Sequence, residues 1–285
     1  MKILRSVNDV TEFVSLQRGR NASIGFVPTM GALHEGHLSL VKKAVEGNDV
    51  TIVSVFVNPT QFNNKKDLEL YPRTEEEDFK LLAAHKVDAV FAPSVEEIYP
   101  EGLENKEIFE LGEVAEVMEG KHRPGHFQGV AQIVNLLFSI INPDRAYFGE
   151  KDFQQIAVIR RLVETRGLKV EIIACPIVRA DDGLALSSRN NLLSKEQRTI
   201  APEIHNTLKY SVEYSRDHSV KATRDTVIER IDSIPGLKIE YFEIIDARTL
   251  TPIDDWSESP WIVGCITVYC GDVRLIDNIT YKKPN

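Results

Sequence analysis

The sequence predicts an α/β protein in which a parallel sheet carries helices on both faces and a smaller α+β domain follows. Up to about residue 176, strand-like apolar runs alternate with helical patterns, which indicates βαβ units. Beyond that point two helical patterns are followed by two strand-like runs, which we expect to pair antiparallel. These observations predict two domains, residues 1–176 and residues 177–285.

The elements of the first domain follow from apolar periodicity and from turn residues. Residues 22–29 read as a buried strand that is expected to stop at Pro28. Leu38, Val41 and Val45 then recur at i, i+3 and i+7, which places them on one face of a helix. The further predicted elements are a strand over 49–62 that runs into an Asn-Pro turn, a helix over 74–86 opened by Thr74 and acidic residues, a strand over 87–93, a core helix over 129–141, a strand, loop and helix over 144–164, and a strand over 169–179.

The second domain is predicted from the same signals. One helix is expected to begin near Ser194 and to continue over 194–215, and another to cover 223–234. Two strand-like runs follow, over 238–247 and 261–270.

Composition and charge limit the classes of function. The net charge of −9 and the pI of about 5.4 argue against nonspecific nucleic-acid binding. Residues 119–126 (EGKHRPGH) still leave room for a site that binds a small anion. No apolar run approaches the roughly 18 residues of a membrane span, and the charged first residues do not resemble a signal peptide, so we expect a cytoplasmic protein. Cys175, Cys265 and Cys270 lie in apolar contexts and are expected to be buried structural thiols.

Polar clusters follow several of the predicted strands, at 28–37, 58–62, 148–155 and 179–190. In open α/β sheets, ligands bind beyond the carboxyl ends of the strands, so this placement predicts a substrate crevice. The glycine-rich fingerprints GxGxxG and GxxxxGK[ST] do not occur. A nucleotide site would therefore need another design.

His34 and His37 offer such a design. At a helix start they share one face, where backbone N–H groups favour an anion, and Gly31 and Gly36 let a ligand approach the main chain. Imidazoles can donate hydrogen bonds to a phosphate while its charge develops. Two other interpretations stay open here. The spacing is one residue shorter than the i, i+4 pair of an HExxH metal site, and the histidines can also be incidental turn residues.

Two later clusters carry groups that suit phosphate. In YFGEKDFQQ, Gly149 opens the backbone and Lys151 supplies a mobile charge, while the polar residues after it either bind hydroxyls or cap the next helix. In DDGLALSSRN, two serine hydroxyls and the Arg189 guanidinium suit phosphate oxygens, although such a loop is also an ordinary surface turn. A catalytic serine is not expected, because no GxSxG context surrounds it.

Taken together, these motifs resemble a known family. PTMGALHEGHLSLV resembles the HxGH motif of the nucleotidylyltransferase superfamily, and LSSRN stands where that superfamily has a KMSKS-like loop. The combination of PTMGALHEGH, FVNPTQF, YPRT, GKHRPGHFQGV, YFGEKDFQQ and DGLALSSRN resembles the pantoate–β-alanine ligase (pantothenate synthetase) family along nearly the whole chain. Leu186 departs from the family pattern, which has methionine there; the exchange conserves volume. The resemblance implies a Rossmann-like first domain of the HUP/nucleotidylyltransferase type and a C-terminal lid domain.

The resemblance also implies an ATP-dependent ligation in coenzyme A (vitamin B5) biosynthesis. Pantoate attacks the α-phosphate of ATP to form pantoyl adenylate and pyrophosphate, and β-alanine then displaces AMP to form pantothenate. Mg²⁺ is expected to bridge phosphate oxygens. The family is usually dimeric through its first domain, so a homodimer is expected. The alternative activity is that of a nucleotidylyltransferase with the same HxGH site and another small acceptor.

Residue roles carried over from the family motifs are as follows. His37, His34 and Lys151 are expected to be catalytic, with His37 assisting departure of the leaving group. The residues expected to bind ATP are Met30, Gly31, Ala32, Leu33, His34, Glu35, Gly36, His37, Gly149, Glu150, Lys151, Asp152, Val178, Leu186, Ser187, Ser188 and Arg189. The residues expected to bind pantoate or β-alanine are Gln61, Gln155, Arg123 and His126. Asp78 is a candidate magnesium contact, although an acid that caps its helix is the preferred interpretation.

Overall fold

The computed structural model describes residues 1–103 and 107–284 and divides into two compact units. The first unit comprises Met1–Glu150 and Gln155–Pro176. The second unit comprises the short segment Lys151–Gln154 together with the chain from Ile177 onward. The sequence did not indicate that the short segment groups with the second unit.

The first unit is built from the strands and helices of an α/β fold. Its strands are β1 (Lys2–Leu4), β2 (Ile24–Thr29), β3 (Val50–Val55), β4 (Ala89–Phe91), β5 (Arg145–Gly149) and β6 (Glu171–Cys175). Its helices are α1 (Val7–Arg18), α2 (Glu35–Gly47), α3 (Lys65–Leu70), α4 (Glu75–Ala84), α5 (Val95–Ile98), α6 (Glu119–His122), α7 (His126–Ile141) and α8 (Phe153–Arg166), whose first two residues belong to the second unit.

Within the described residues, these six strands form one sheet of order β1-β4-β3-β2-β5-β6 in which every neighbouring pair is parallel. The predicted parallel sheet is therefore confirmed. From β4 to β6 the order is that of a Rossmann-like sheet, and the direction of winding reverses between β2 and β5. The additional edge strand β1 and the helix α1 were not predicted.

The sheet is covered on both faces, as its strand sequences require. Phe26 and Ile52 point into a core cluster that also contains side chains of α1, α7 and α8. Their neighbours Val27 and Val53 point into a second cluster, with side chains of α2 and α4. Successive residues of a strand alternate between faces, so a strand that is apolar at every position is buried on both sides.

Pro28 does not end its strand, which corrects the prediction. β2 continues to Thr29, whose Cα partner on β3 is Val55. On the other side, the pairing of β2 with β5 ends at Phe26. Beyond that point β2 has an open edge, where the missing N–H of a proline is tolerated.

The second unit is α+β, as predicted, but two of its elements differ from the prediction. Its elements are α9 (Lys195–Ile200), α10 (Glu203–Tyr214), α11 (Val220–Asp232), β7 (Leu237–Asp246), β8 (Ile262–Cys270) and β9 (Val273–Lys282). The single helix predicted over 194–215 is two helices, because Pro202 lacks the N–H that a continuous helix needs. β9 was not predicted; it pairs antiparallel with β8, which also pairs antiparallel with β7.

All three cysteines are buried, as expected for structural thiols. In the part of the chain that the structure describes, no helix has the length and apolarity to cross a membrane.

Candidate functional site

The two histidines lie at the start of α2 and fix the orientation of each other's rings. His34 is the N-cap residue, and its Nδ1 accepts a hydrogen bond from the Gly36 N–H at 3.1 Å. The His34 N–H donates to Nδ1 of His37 at 3.4 Å, and the two ring centroids lie 4.1 Å apart. A backbone N–H can only donate, so both Nδ1 atoms are acceptors and each neutral ring carries its proton on Nε2. Both side chains are therefore set as Nε2–H donors.

This arrangement suits an anion better than the other interpretations of the motif. If the only role of the N-cap residue were to cap α2, then serine, threonine, aspartate or asparagine would be sufficient at that position. An imidazole at the cap adds a second nitrogen on the far side of the ring, which the cap does not use. The helix start adds the partial positive charge of its first-turn N–H groups. Histidines in this tautomer can thus donate to an oxyanion beside the end of a helix.

The loop between β2 and α2 is held by Asp78 from a distant helix. The Asp78 carboxylate accepts hydrogen bonds from the N–H groups of Ala32 at 2.9 Å and Leu33 at 2.8 Å. Gly31 has a φ of +81°, and a Cβ there would lie 2.9 Å from Asp78 Oδ2, so the turn requires glycine. The Thr74 hydroxyl lies 3.3 Å from Asp78 Oδ1. Gly31, which we expected to let a ligand approach the main chain, thus also leaves room for the Asp78 carboxylate.

Asp78 thus has partners outside its own helix, and its interpretation as a helix-capping acid stays a prediction. Its side chain accepts from a turn 46 residues away along the chain, and at the N-terminus of α4 it contacts the Thr74 hydroxyl. Thr74 stands at the N-cap of α4 but forms no side-chain cap bond. Burial raises the pKa of the Asp78 carboxyl, although the hydrogen bonds from Leu33 and Ala32 act in the opposite direction. Asp78 shapes the loop that carries the predicted ATP-binding residues.

At the end of β3, a network of hydrogen bonds orients Gln61. The Tyr99 hydroxyl donates to Asn58 Oδ1 at 2.7 Å, and Asn58 Nδ2 donates to Gln61 Oε1 at 3.2 Å. The opposite end of that amide, Gln61 Nε2, lies 3.1 Å from Met30 Sδ in the loop after β2. The structure therefore brings Gln61 to the nucleotide motif. Sequence reasoning missed Tyr99, and no local signal marks it, since it lies 41 residues from Asn58.

Arg123 and His126 lie on the other side of the same turn. His126 Nδ1 is 2.8 Å from the Gln61 carbonyl oxygen, which can only accept, so the ring carries its proton on Nδ1. Its Nε2 then accepts from Arg123 NH1 at 3.1 Å, and Arg123 is 3.5 Å from Glu119. Three of the four residues predicted to bind pantoate or β-alanine are thus together. The fourth, Gln155, is half-buried on the first turn of α8.

Close packing of α7 fixes the position of the Gln61 turn. Asn58 Nδ2 also donates to the Gly129 carbonyl at 3.2 Å. A Cβ on Gly129 would lie 2.3 Å from the Thr60 carbonyl oxygen and 2.6 Å from the Gln61 Cα, a distance at which something must shift. Glycine at this position lets the helix approach the turn.

The loop after β5 contributes Gly149 and Glu150 to the first unit, at the strand next to β2. A Cβ on Gly149 would meet no atom within 4 Å, so the glycine is not required by packing. Open space at a strand end fits the close approach of a ligand to the main chain.

The remaining predicted residues belong to the second unit. Lys151 and Asp152 lie in the short segment, and Lys151 is half-buried. Val178 opens a small hairpin in which the Leu186 N–H donates to the Val178 carbonyl at 3.0 Å. Ser187 caps the following 3₁₀ turn by accepting from the Arg189 N–H at 3.3 Å, and Ser188 is buried. All of these residues belong to the second unit.

Comparisons with known proteins match nearly the whole chain. The family model of pantoate-beta-alanine ligase matches residues 2–280. A pantothenate synthetase from Porphyromonas gingivalis (strain W83) is 56% identical over 282 residues, which is 99% of this chain and 100% of that protein.

Two solved structures are similar along their whole length. The pantothenate synthetase of Thermus thermophilus has a TM-score of 0.92 at 41% identity, with 99% of this chain and 100% of that chain covered. A pantoate-beta-alanine ligase from Francisella tularensis has a TM-score of 0.79 at 37% identity, covering 99% of this chain and 98% of that one. The latter is described as complexed with beta-gamma ATP and beta-alanine.

Proposed function

The chain belongs to the pantoate–β-alanine ligase family, and from that premise we propose that it condenses pantoate with β-alanine in a reaction driven by ATP. A pantoate carboxylate oxygen attacks the α-phosphorus of ATP, the Pα–O–Pβ bond breaks, and pyrophosphate leaves. The amine of β-alanine then attacks the acyl carbon of pantoyl adenylate, AMP leaves, and the nitrogen loses a proton. The family and its solved member with ATP and β-alanine support this activity over that of a nucleotidylyltransferase.

The observation that carries the proposal is the locked pair of histidines at the start of α2. Both Nε2–H groups can donate to phosphate oxygens, since the Nδ1 atoms are held by main-chain donors. Hydrogen bonds to charge that develops in the transition state accelerate the step, and those to ground-state charge do not. We assign His37 and His34 to the phosphates of ATP, and we assign Lys151 as a mobile cation for the nucleotide.

We assign the acid pocket to the residues around the Gln61 turn. The Gln61 amide is oriented by Asn58 at one end and lies against Met30 at the other, so it is held in one position before a ligand arrives. Amide groups of Gln61 and Gln155 suit the hydroxyls and carboxylate of pantoate. Arg123 and His126 support the carbonyl side of that turn, which fits a role next to the bound acids.

Magnesium fits this site as an ion that enters with ATP. Among the residues that the structure describes, no cluster of three or more His, Cys, Asp or Glu side chains has the arrangement of a metal cage. Mg²⁺ in phosphoryl-transfer sites is held largely by phosphate oxygens and water, often with one carboxylate. It would neutralise phosphate charge during adenylation. The Asp78 carboxylate is engaged by two main-chain N–H groups, so we propose that it shapes the loop and does not need the ion.

Pyrophosphate exchange tests the activity directly. The chain is incubated with ATP, Mg²⁺ and labelled pyrophosphate, with and without pantoate and in the absence of β-alanine. Label should enter ATP only when pantoate is present, because the reversible step forms pantoyl adenylate. Exchange without pantoate, or none with it, would contradict the proposal. Omission of β-alanine separates the first step from the second.

The assembly and location of the protein are further proposals. We propose a homodimer, which light scattering across a range of concentrations would test against a monomer of 32.2 kDa. We also propose a cytoplasmic location, which cell fractionation would test. The lid role of residues 177–285 stays a prediction.

A further inference from the structure

The dipeptide Asp277–Asn278 on β9 contacts both segments of the second unit that carry predicted phosphate-binding residues. One is Lys151–Gln154, and the other is the hairpin over 178–186 that leads into Ser187–Arg189. We infer that Asp277 and Asn278 are positioning residues, which hold these two segments in the geometry that binds ATP. The inference rests on the proposed function and concerns residues that none of the recognised motifs includes.

Asn278 holds the main chain at Lys151. Its Nδ2 donates to the Lys151 carbonyl at 3.2 Å, and the residue is 8% exposed, so water competes little for that bond. Two residues further on, Phe153 packs edge-on against Trp261 with ring centroids 6.2 Å apart. The segment is thus attached to the second unit by a polar and an aromatic contact. A fixed Lys151 backbone limits the volume that its ammonium group samples.

Asp277 holds the hairpin through Arg179. The guanidinium forms two parallel bonds to the carboxylate, at 2.7 Å and 2.9 Å, and Arg179 also donates to the Gly183 carbonyl at 3.1 Å. Because the Asp277 side chain is only 4% exposed, this pair is weakly screened by solvent. Arg179 therefore connects the turn of the hairpin to β9. The hairpin leads directly into Ser187, which caps the 3₁₀ turn that follows.

His205 is a further titratable group that faces this pair. Its Nδ1 lies 3.8 Å from Asp277 Oδ2, and burial, together with the charge of Arg179, lowers the pKa of the imidazole. Arg179 is therefore the cation that neutralises Asp277 near neutral pH.

The two contacts act together because they arise from neighbouring residues of one edge strand. Successive side chains of a strand point to opposite sides, so Asp277 and Asn278 can reach different segments at once. β9 is the edge strand of the order β7-β8-β9. Its register against β8, with Asp277 opposite Ile266 and Asn278 opposite Cys265, fixes both side chains. The strand register thereby sets the spacing between Lys151 and the Ser187–Arg189 turn.

The test compares ATP binding by Asn278→Ala with that of a matched control. Calorimetric titration of the full chain with Mg·ATP should give a Kd that is raised about 3- to 10-fold in Asn278→Ala, the effect of one lost hydrogen bond. The KM for pantoate in pyrophosphate exchange should not change. The control is Glu240→Gln, which weakens a half-buried pair between β7 and β9 in which Arg274 Nε lies 3.0 Å from Glu240 Oε2. It should lower the melting temperature and leave the Kd for ATP unchanged.

Asn278→Asp provides a second variant of the same shape that lacks the amide donor. It should weaken ATP binding at least as much as the alanine variant, whereas Asp277→Asn is expected to destabilise the unit by leaving the half-buried Arg179 without a charge partner. Unchanged ATP binding in both Asn278 variants would overturn the inference, and so would an equal loss in Glu240→Gln. A wild-type chain that binds no ATP would instead defeat the proposed function, which distinguishes the two failures.

Discussion

Replacing His34 by asparagine separates the structural role of this residue from its chemical role. Asparagine is among the best N-cap residues, and its Oδ1 can accept the Gly36 N–H in place of the imidazole Nδ1. The variant should therefore keep α2 and the melting temperature of the wild type. It loses the Nε2–H on the far side of the ring. Loss of one donor to developing phosphate charge lowers turnover by about 10²- to 10³-fold, which corresponds to about 3–4 kcal/mol.

His34→Ala is the matched comparison, because it removes the cap as well as the donor. Loss of the cap costs about 1 kcal/mol, and for a chain of this size the melting temperature should fall by about 2–4 °C. The assays are thermal melting by circular dichroism and pantoate-dependent pyrophosphate exchange at saturating substrates. Both variants should be equally slow, and only the alanine variant should be less stable. Wild-type turnover in His34→Asn would show that the second nitrogen is not needed and would refute the reasoning.

Three further substitutions test other parts of the site. His37→Ala should lower turnover by about 10²- to 10³-fold with little change in melting temperature, since its Nδ1 accepts only a long bond; unchanged turnover would remove it from the chemistry. Gln155→Ala should raise the KM for pantoate more than the KM for ATP, and equal effects would count against its assignment. Gly129→Ala places a Cβ 2.3 Å from the Thr60 carbonyl oxygen and should destabilise the protein by about 1–3 kcal/mol and displace Gln61, which would appear as a raised KM for pantoate. A Gly129→Ala enzyme with wild-type stability would show that α7 and the turn can move apart.

The parts of the fold that were predicted correctly are those encoded in local patterns. Strands β2 to β5 are rich in apolar residues, and α2 shows its buried face at Leu38 and Val41. Such patterns can be read locally, because the spacing of apolar residues along a segment shows whether one face or both faces of the element are buried. β1 was missed because three residues are too few to show a period, and Ile3 within it is exposed.

For the site, the motifs identified the residues but not their contacts. The HxGH stretch indicated a phosphate site at a helix start, while the proton positions followed only from which main-chain N–H groups reach the two rings. For Asp78, the location in the first turn of α4 suggested a capping acid. Its two main-chain donors lie 46 and 45 residues away along the chain, where no local pattern indicates them.

The sequence by itself determined the class of fold, the family and the list of residues expected to act, because each depends on patterns and motifs within short stretches. Tertiary structure alone decided how those residues are held. The Tyr99–Asn58–Gln61 network, the Asp78 clasp on the loop after β2 and the Asp277–Arg179 pair each join segments that are 41 to 98 residues apart. Hydrogen bonds and ion pairs of this kind form between groups that are close in space, and the separation of two residues along the chain does not show whether they are close in space.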